Sequence, residues 1–346
     1  MSHSRQQHAL ISWSLLAVVV GIAACDSSTS VPQPVDAAAI DARDCACPGT
    51  ELFSRQHLVD HWYSYPRTDA VRGHALPCVV DTDLSIGGTC LLSYLGDNAY
   101  ISGATRFESA FSGYANWWCF HLPFSNGQLD MSTRCVRPLD RTGETPEGCT
   151  CPAFETPRDR IFYVPQSVII EQDVITSVNV SCPAGTTRIG GACAMNGIAR
   201  LLGTGPYPDD PQTWHCSWHH VPNDLTSDAE ASAICLSPPA PDAVTGEPVT
   251  PETIEYVFVE ETLPANDTRI LSATCAPGDT LITGGCQIAD VQLSFKDLQL
   301  KGTGQAIPED NWPNTWQCSW RNPTNLTPKA IAMATCLKSA STSSTE

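Results

Sequence analysis

The cysteines constrain the fold of this chain more than any other residue type. Seventeen occur in 346 residues, and most of them recur as three sets of four with similar spacing. The sets are Cys78, Cys90, Cys119 and Cys135, then Cys182, Cys193, Cys216 and Cys235, then Cys275, Cys286, Cys318 and Cys336. A repeated cysteine pattern of this kind predicts three copies of one disulfide-stapled unit.

Five further cysteines complete the count. Two pairs open the first and second repeats within a C-x-C-P-x-x-E motif, Cys45 with Cys47 and Cys149 with Cys151, and Cys25 stands alone near the N-terminus. Without Cys25 the number is even, which predicts eight disulfides formed in an oxidising compartment. Neither C-x-C pair has a neighbouring histidine, so we expect structural bridges there and no zinc or redox site.

The segments between the cysteines also repeat. A Gly-Gly pair shortly before the second cysteine is typical of a hairpin turn. A tryptophan stands two residues before the third cysteine, and strand alternation places the two on one buried face. The alternating Ala-x-Ala-x-Cys-Leu pattern at the fourth cysteine predicts a closing strand. Apolar segments that begin at Ile161 and Ile254 predict opening strands.

Short strand-like segments, separated by many of the 27 prolines and 23 glycines, indicate the fold class. We predict an all-β chain of three tandem, small, disulfide-stapled antiparallel β modules, each sandwich-like. The repeats span residues 45–140, 149–240 and 249–339, and residues 340–346 form a disordered tail. The alternative is one three-sided β-prism in which the repeats share a core.

The N-terminal segment predicts export. Residues 1–24 have the layout of a signal peptide, with an apolar stretch too short to span a bilayer. The segment ends in Ile22-Ala23-Ala24-Cys25, which resembles the lipobox of bacterial lipoproteins and implies that Cys25 is lipidated. Residues 25–44 have the composition of a disordered tether. The predicted location is the cell envelope, with the chain lipid-anchored and facing the periplasm or the cell exterior.

The order of the C-x-x-G, Gly-Gly, W-x-C and A-x-C-L motifs also resembles a known module. This module is mostly uncharacterised and occurs in secreted bacterial proteins, and the resemblance covers all three repeats. It implies no activity. It does imply a nested disulfide pairing, first cysteine with fourth and second with third, against the alternative of two sequential hairpin bridges.

Two groups of histidines have spacing that could suggest metal binding. His57 and His61 are four residues apart, but they fall in a predicted strand, where this separation is about 13 Å and too long for one zinc ion. We therefore predict solvated strand histidines. His215 and His219 have the same separation and His220 points away from His219, so we predict an exposed, variable face without a metal.

The possible ligand contacts lie in loops. Trp312 is the best candidate for an exposed aromatic residue, whereas the other tryptophans are expected to be mostly core and less often a sugar-stacking platform. The acidic pairs Asp209 with Asp210 and Glu309 with Asp310 follow matching Gly-Thr-Gly segments. Calcium would find oxygen ligands there, although two carboxylates alone make a poor site.

Charge and motifs restrict the function. A net charge of -18 repels nucleic acid and anionic membrane surfaces, so the only expected membrane contact is through the lipid anchor. No catalytic motif is recognisable. We predict a non-catalytic cell-envelope lipoprotein, a binding or structural surface module for a glycan or protein ligand. The alternatives are a secreted hydrolase with a site between repeats, formed by His57, His61 and His121, and a disulfide-rich protease inhibitor.

Overall fold

The fold was analysed in a computed structural model. It describes residues 58–66, 73–78, 83–92, 101–108, 115–121, 128–136, 160–196, 199–220, 227–239, 253–289, 291–306 and 314–339. All of them belong to one compact unit, Cys45–Glu346. Within the described residues, no helix is long and apolar enough to cross a membrane.

Each repeat contributes six strands. The first repeat holds β1 (Leu58–Pro66), β2 (Gly73–Pro77), β3 (Leu84–Leu92), β4 (Ile101–Glu108), β5 (Ala115–His121) and β6 (Gln128–Val136). The second holds β7 (Ile161–Ile170), β8 (Ile175–Ser181), β9 (Thr187–Asn196), β10 (Ala199–Tyr207), β11 (Asp210–His220) and β12 (Ser227–Leu236). The third holds β13 (Ile254–Thr262), β14 (Asp267–Thr274), β15 (Thr280–Ile288), β16 (Gln299–Gln305), β17 (Thr315–Asn322) and β18 (Lys329–Leu337), with a short 3-10 turn at Leu293–Phe295.

These strands form three six-stranded antiparallel sheets, and each sheet is shared by two repeats. The strand orders are β1-β6-β3-β16-β17-β14, β13-β18-β15-β10-β11-β8 and β2-β5-β4-β9-β12-β7. In every sheet one repeat supplies its first, sixth and third strands, and another supplies its fourth, fifth and second. The first repeat is joined to the third, the third to the second, and the second to the first, so the cycle is closed.

We call each region where two repeats contact each other a joint. At each joint the third strand of one repeat meets the fourth strand of another beside the second cysteine. The pairs are Cys90 with Thr303, Cys286 with Thr204, and Cys193 with Ala104. Glycine permits this approach at the joint of the second and third repeats. A Cβ added to Gly285 would lie 2.4 Å from the Thr204 carbonyl oxygen, closer than any side chain can come.

The described residues form six disulfides, two in each repeat, and these join the two halves of that repeat. They connect Cys78–Cys135, Cys90–Cys119, Cys182–Cys235, Cys193–Cys216, Cys275–Cys336 and Cys286–Cys318. This is the nested pairing implied by the resemblance. The inner bridge links the third strand to the fifth, which belong to different sheets, so each repeat is closed into a two-layered sandwich. The bridges require an oxidising, non-cytoplasmic compartment.

The Gly-Gly pairs lie inside strands β3, β9 and β15, so their interpretation as hairpin turns is wrong. The glycine two residues before the second cysteine of each repeat lies under the indole ring of the tryptophan that precedes the third cysteine. A Cβ on Gly191 would lie 2.1 Å from the Trp214 ring, and Gly88 and Gly284 have the same relation to Trp117 and Trp316. Glycine is therefore required by packing: the bulky ring occupies the space of the missing side chain.

The core joins all three repeats. The largest buried cluster contains the inner disulfide of every repeat and the tryptophan before its third cysteine. A second cluster brings together Ile86, Ile189 and Ile282 from equivalent positions of β3, β9 and β15. The prediction of an all-β, antiparallel, disulfide-stapled fold is confirmed. The sheets do not follow the repeat boundaries, and their cyclic sharing has the connectivity of the three-sided alternative, although each repeat keeps its sandwich character.

Candidate functional site

The acidic residues predicted as ligand contacts lie at the tip of a β-hairpin in the second repeat. Tyr207 at the end of β10 pairs with Asp210 at the start of β11, which leaves Pro208 and Asp209 as a two-residue turn. Asp209 and Asp210 are both exposed. Their counterparts Glu309 and Asp310 lie outside the described residues, as does Trp312. Among the described side chains, no group of three or more His, Cys, Asp or Glu could hold a metal ion.

The tryptophans of the W-x-C segments are core residues. Trp117, Trp214, Trp218, Trp316 and Trp320 are all buried. Alternation along the fifth strand of each repeat places these rings on the same face as the bridging cysteine. This face lies between the two layers of the repeat's sandwich. A sugar-stacking platform made of these rings is therefore excluded, and a ligand must be bound on another face of the scaffold.

The prediction that His215, His219 and His220 form an exposed face is wrong. All three histidines are buried, with relative exposures of 2%, 3% and 0%. Each finds a hydrogen-bond partner on another element, which makes burial of the imidazole tolerable. The partners of His219 and His220 are Asp173 and Ser227. Of the histidines proposed for a site between repeats, His61 is half-buried in β1, His57 lies outside the described residues, and the His121 side chain is not described.

His215 forms the centre of a hydrogen-bonded row across three strands. Asn179 on β8 pairs directly with His215 on β11. The His215 Nδ1 atom lies 2.6 Å from Asn179 Oδ1, and Nε2 lies 3.1 Å from the Tyr207 hydroxyl. The Tyr207 ring packs against the imidazole with 4.5 Å between centroids. The row runs from an exposed amide, through a buried imidazole, to a half-buried phenol.

Burial keeps this imidazole neutral. Desolvation lowers the pKa of His215 to about 4, because burial disfavours the charged, protonated ring. The two hydrogen bonds then fix the tautomer: Nδ1 donates its proton to Asn179 Oδ1, and Nε2 accepts the proton of the Tyr207 hydroxyl.

A second row lies beside the first. Ser181 and Thr213 are paired across β8 and β11, with 2.5 Å between their hydroxyl oxygens. The Thr213 hydroxyl donates to Asp210 Oδ2 at 2.6 Å. Since that bond uses the only Thr213 hydroxyl proton, the Ser181 hydroxyl donates to Thr213. We call these two rows the polar face, which consists of Asn179, Ser181, Tyr207, Asp210, Thr213 and His215.

Local sequence explains why the polar face forms here. Along β11, Thr213 and His215 alternate with Trp214 and Cys216, so the polar residues point away from the sandwich core. The same alternation on β8 buries Val178 and Val180 and exposes the residues between them. The short turn then returns β10 alongside β11. Tyr207 and Asn179 escaped the sequence analysis because the register of β8 against β11, which joins them through His215, has no signature in the sequence.

The polar face occurs in full in only one of the three repeats. Counting from the cysteines, the third repeat has Gln317 and Ser272 at the positions of His215 and Asn179, and it retains only the hydroxyl pair Thr274 with Thr315, at 2.9 Å. The first repeat has Trp118 at the position of His215. The disulfides, the tryptophan before the third cysteine and the joints recur in all three repeats, so the complete polar face is not a requirement of the fold.

A charged network follows at the other end of β11. His219 Nε2 lies 3.4 Å from Asp173 Oδ1, and the same carboxylate pairs with Lys296 at 3.1 Å. Burial is the main cause that lowers the pKa of His219, and the bond to Asp173 opposes it. These contacts link the turn after β7 to the segment after the 3-10 turn of the third repeat. The hydrogen bond to Asp173 gives the buried His219 imidazole a polar partner, so its burial is explained by the structure without a ligand.

No protein-family profile matches the chain, and no curated protein matches it significantly.

Proposed function

We propose that the chain is an exported, lipid-anchored, non-catalytic protein of the bacterial cell envelope, and that its repeats form one rigid scaffold that presents a binding face. One observation carries this proposal. Three repeats share the same disulfides, joints and Gly-Trp packing, yet among the described residues only the second has both hydrogen-bonded rows of the polar face. A surface feature that the scaffold does not need is the natural candidate for binding.

The scaffold supports such a role. Every joint lies beside a cysteine of an inner disulfide, so the strands that connect neighbouring repeats are covalently tied to the opposite layer of the sandwich. Binding residues mounted on a cross-linked sheet lose little conformational entropy when a ligand arrives.

The geometry favours binding over catalysis. Both nitrogens of His215 are engaged, and the ring is shielded from solvent. Its neutral state is held by burial far below neutral pH. An imidazole held in this way supports the orientation of Asn179 and Tyr207 and is poorly placed to exchange protons with a substrate.

The anchor is part of the proposal. The lipobox resemblance assigns lipidation to Cys25, and the tether over residues 25–44 would hold the scaffold away from the membrane. Replacement of Cys25→Ser should release the protein from the membrane fraction or leave it unprocessed, because only that thiol can form the thioether to the lipid. A Cys25→Ser protein that remains lipidated and membrane-bound would refute the anchor.

Binding is tested with a chain of residues 26–346, which lacks the lipid and keeps the compact unit Cys45–Glu346. This protein should co-sediment with isolated envelope material from its host, and the His215→Gln and Tyr207→Phe variants should co-sediment less. The matched control is Ser272→Ala, at the equivalent exposed position of the third repeat. Failure of the parent to co-sediment, or equal co-sedimentation by all variants, would contradict a binding role for the polar face.

A further inference from the structure

We propose that β8 is a pH-sensitive strand: in acid, protonation of His215 and His219 on β11 detaches it from the edge of its sheet while the rest of the scaffold stays folded. Detachment separates Asn179 and Ser181 from their partners on β11, so it dismantles the polar face. The inference adds regulation to the proposed binding face, and only this consequence for binding rests on the proposed function.

The position of β8 allows it to leave without breaking the sheet. It is an edge strand paired only with β11, whereas β10 and β11 each have neighbours on both sides. Of its seven residues, only Val178 and Val180 are buried. The strand also stays tethered at both ends, because the turn from β7 precedes it and the Cys182–Cys235 disulfide follows it. It is therefore positioned to return when the pH rises.

Two buried histidines face β8 along its length. His215 pairs with Asn179, and its Nδ1 atom lies 2.6 Å from Asn179 Oδ1. His219 pairs with Ile175 at the start of β8, and its Nε2 atom lies 3.4 Å from Oδ1 of Asp173 in the preceding turn. Protonation places a charge on rings that water does not reach. Because β8 supplies a neighbour of each ring, its departure gives both rings access to water.

The direct neighbours of His215 are uncharged at neutral pH. They are Asn179 on β8 and the phenol of Tyr207 on β10. Beyond β10 the same row continues through Gly285 and Met333, which are also uncharged. Burial is the cause that lowers the pKa of His215 to about 4. The geometry of the row and the titration of the ring therefore agree.

The charged groups of the surrounding elements occupy neighbouring positions. Asp210 is bound to Thr213 in the next row, and Arg188 on β9 lies 5.4 Å from the centre of the Trp214 ring. Around His219 the bond to Asp173 raises the pKa, whereas Arg200 and Lys296 act together with burial to lower it. The net shift of His219 is downward, so its protonation also favours release of β8.

The third repeat contains a matched strand without this sensitivity. Its edge strand β14 pairs only with β17, as β8 pairs only with β11. The positions of His215 and His219 are taken by Gln317 and Arg321, which lie opposite Ser272 and Thr268. Neither an amide nor a guanidinium titrates between pH 4.5 and pH 7. One molecule therefore contains an edge strand that acid should release and an equivalent one that it should not.

The test is hydrogen exchange with mass spectrometry on residues 26–346 at pH 7 and pH 4.5, corrected for the intrinsic pH dependence of exchange. A pKa of about 4 in the closed strand pair, against about 6.5 for an exposed imidazole, predicts that His215 alone makes opening of β8 about 70-fold more frequent at pH 4.5. Protection of β14 should stay unchanged. His215→Gln should remove most of the increase, and the double variant with His219→Gln should abolish it.

Thermal melts at pH 7 check that the variants are folded. Equal loss of protection in β8 and β14, no loss in β8, or an undiminished loss in the double variant would overturn the inference. Its failure is distinguishable from failure of the proposed function, because hydrogen exchange needs no ligand. Release of β8 without any decrease of envelope co-sedimentation at pH 4.5 would confirm the pH-sensitive strand and contradict a binding role for the polar face.

Discussion

Two of the three joints use a tyrosine where the third uses an ion pair. Tyr163 in the second repeat donates its hydroxyl proton to the Ser85 carbonyl of the first repeat at 2.5 Å. Tyr256 in the third repeat donates to the Arg188 carbonyl of the second at 2.7 Å. By strand pairing with the residue before the fourth cysteine, the equivalent residue of the first repeat is Asp60. At that joint the Arg134 guanidinium donates to the Leu281 carbonyl of the third repeat.

The ion pair at the third joint is buried and specific. Arg134 binds Asp60 through two hydrogen bonds, of 2.7 and 2.6 Å, and its side chain is 9% exposed. It also donates to the Ile282 carbonyl at 3.4 Å and to the Gln305 amide oxygen. A fork with several donors can hold partners from β1, β15 and β16 together, which one phenol cannot.

The difference follows from how the chain closes the cycle. The first and second repeats are consecutive in sequence, and so are the second and third, whereas the first and third meet only through space. Their joint must select its partner without the help of a short linker. A buried ion pair is a known means of specifying one pairing over others, since its charges tolerate only their own partner. We call the joint between the first and third repeats the closing joint, and we expect it to respond to substitution differently from the other two.

The largest expected effect is that of Asp60→Asn. The variant leaves the Arg134 guanidinium buried without a carboxylate, and breaking one side of such a pair should lower the free energy of unfolding by about 3 kcal/mol. Denaturant unfolding measures the loss. Glu260→Gln is the control, because it removes an exposed ion pair with Lys329 on β13 and β18 and should cost under about 0.5 kcal/mol. Equal effects of the two variants would mean that the closing joint is not special.

Acid should destabilise the second repeat through His215, a buried imidazole at a position where the third repeat has Gln317. Its pKa is lowered to about 4 in the fold and is about 6.5 in the unfolded chain. Between these pH values the imidazole is protonated in the unfolded chain and neutral in the folded one, so protonation favours unfolding. The free energy of unfolding is therefore unaffected by His215 above about pH 6.5 and falls by about 3 kcal/mol as the pH drops to about 4. His219 and His220 act in the same direction.

His215→Gln, which introduces the residue of the third repeat, should remove the largest share of this acid sensitivity. Unfolding curves at pH 7 and pH 4.5 provide the measurement. The variant should narrow the stability difference between the two pH values. If it leaves that difference intact, the imidazole is not the group that titrates.

The sequence revealed the repeat but not the joints. Spacing of the cysteines and alternation of the Trp-x-Cys segments depend on local order, so the strands, the buried tryptophans and the β class were predictable. The joints were not, because only one or two residue pairs align at each of them and their partners are far apart in the chain. Gly-Thr-Gly at 203–205 precedes an acidic loop in the sequence, and nothing in its pattern predicts that Thr204 pairs with Cys286 of the third repeat.

The candidate site was predictable in part. The acidic pair after a Gly-Thr-Gly segment predicted Asp209 and Asp210 as possible ligand contacts in a loop, and the structure places both at an exposed hairpin tip. Sequence reasoning placed His215 on an exposed face, because the residue at its position differs between repeats, with Gln317 in the third. Its burial depends on Tyr207 and Asn179, which come from two other strands, and such convergence becomes visible only once the register is known.

A smaller effect is expected at the tyrosine joints. Tyr163→Phe and Tyr256→Phe each remove one hydroxyl and keep the ring, so each should lower the free energy of unfolding by about 1 kcal/mol. Hydrogen exchange should increase locally, in β3 for the first variant and in β9 for the second. The Tyr256 ring also lies 4.6 Å from the Arg188 guanidinium, a contact that phenylalanine preserves. If either tyrosine variant lost about 3 kcal/mol of unfolding free energy, the tyrosine joints would be as sensitive as the closing joint is to Asp60→Asn.

The smallest effect should come from transplanting one joint onto another. The double variant Asp60→Tyr with Arg134→Ile gives the closing joint the residues that the second repeat carries at the same positions, Tyr163 and Ile234. The new hydroxyl should donate to the Leu281 carbonyl in place of the guanidinium, and no buried charge remains. Replacing a buried ion pair with uncharged groups of similar volume often has little effect on stability. The free energy of unfolding should therefore change by about 1 kcal/mol or less.

This double variant separates two explanations of the closing joint. If the Leu281 carbonyl needs only a donor, the double variant recovers most of what Asp60→Asn loses, and the ion pair contributes to partner selection more than to stability. Selection is then measurable as dimers formed by exchange of repeats between chains, which should increase in the double variant during refolding at high concentration. A double variant as unstable as Asp60→Asn would show instead that the contacts of Arg134 with Ile282 and Gln305 hold the first and third repeats together.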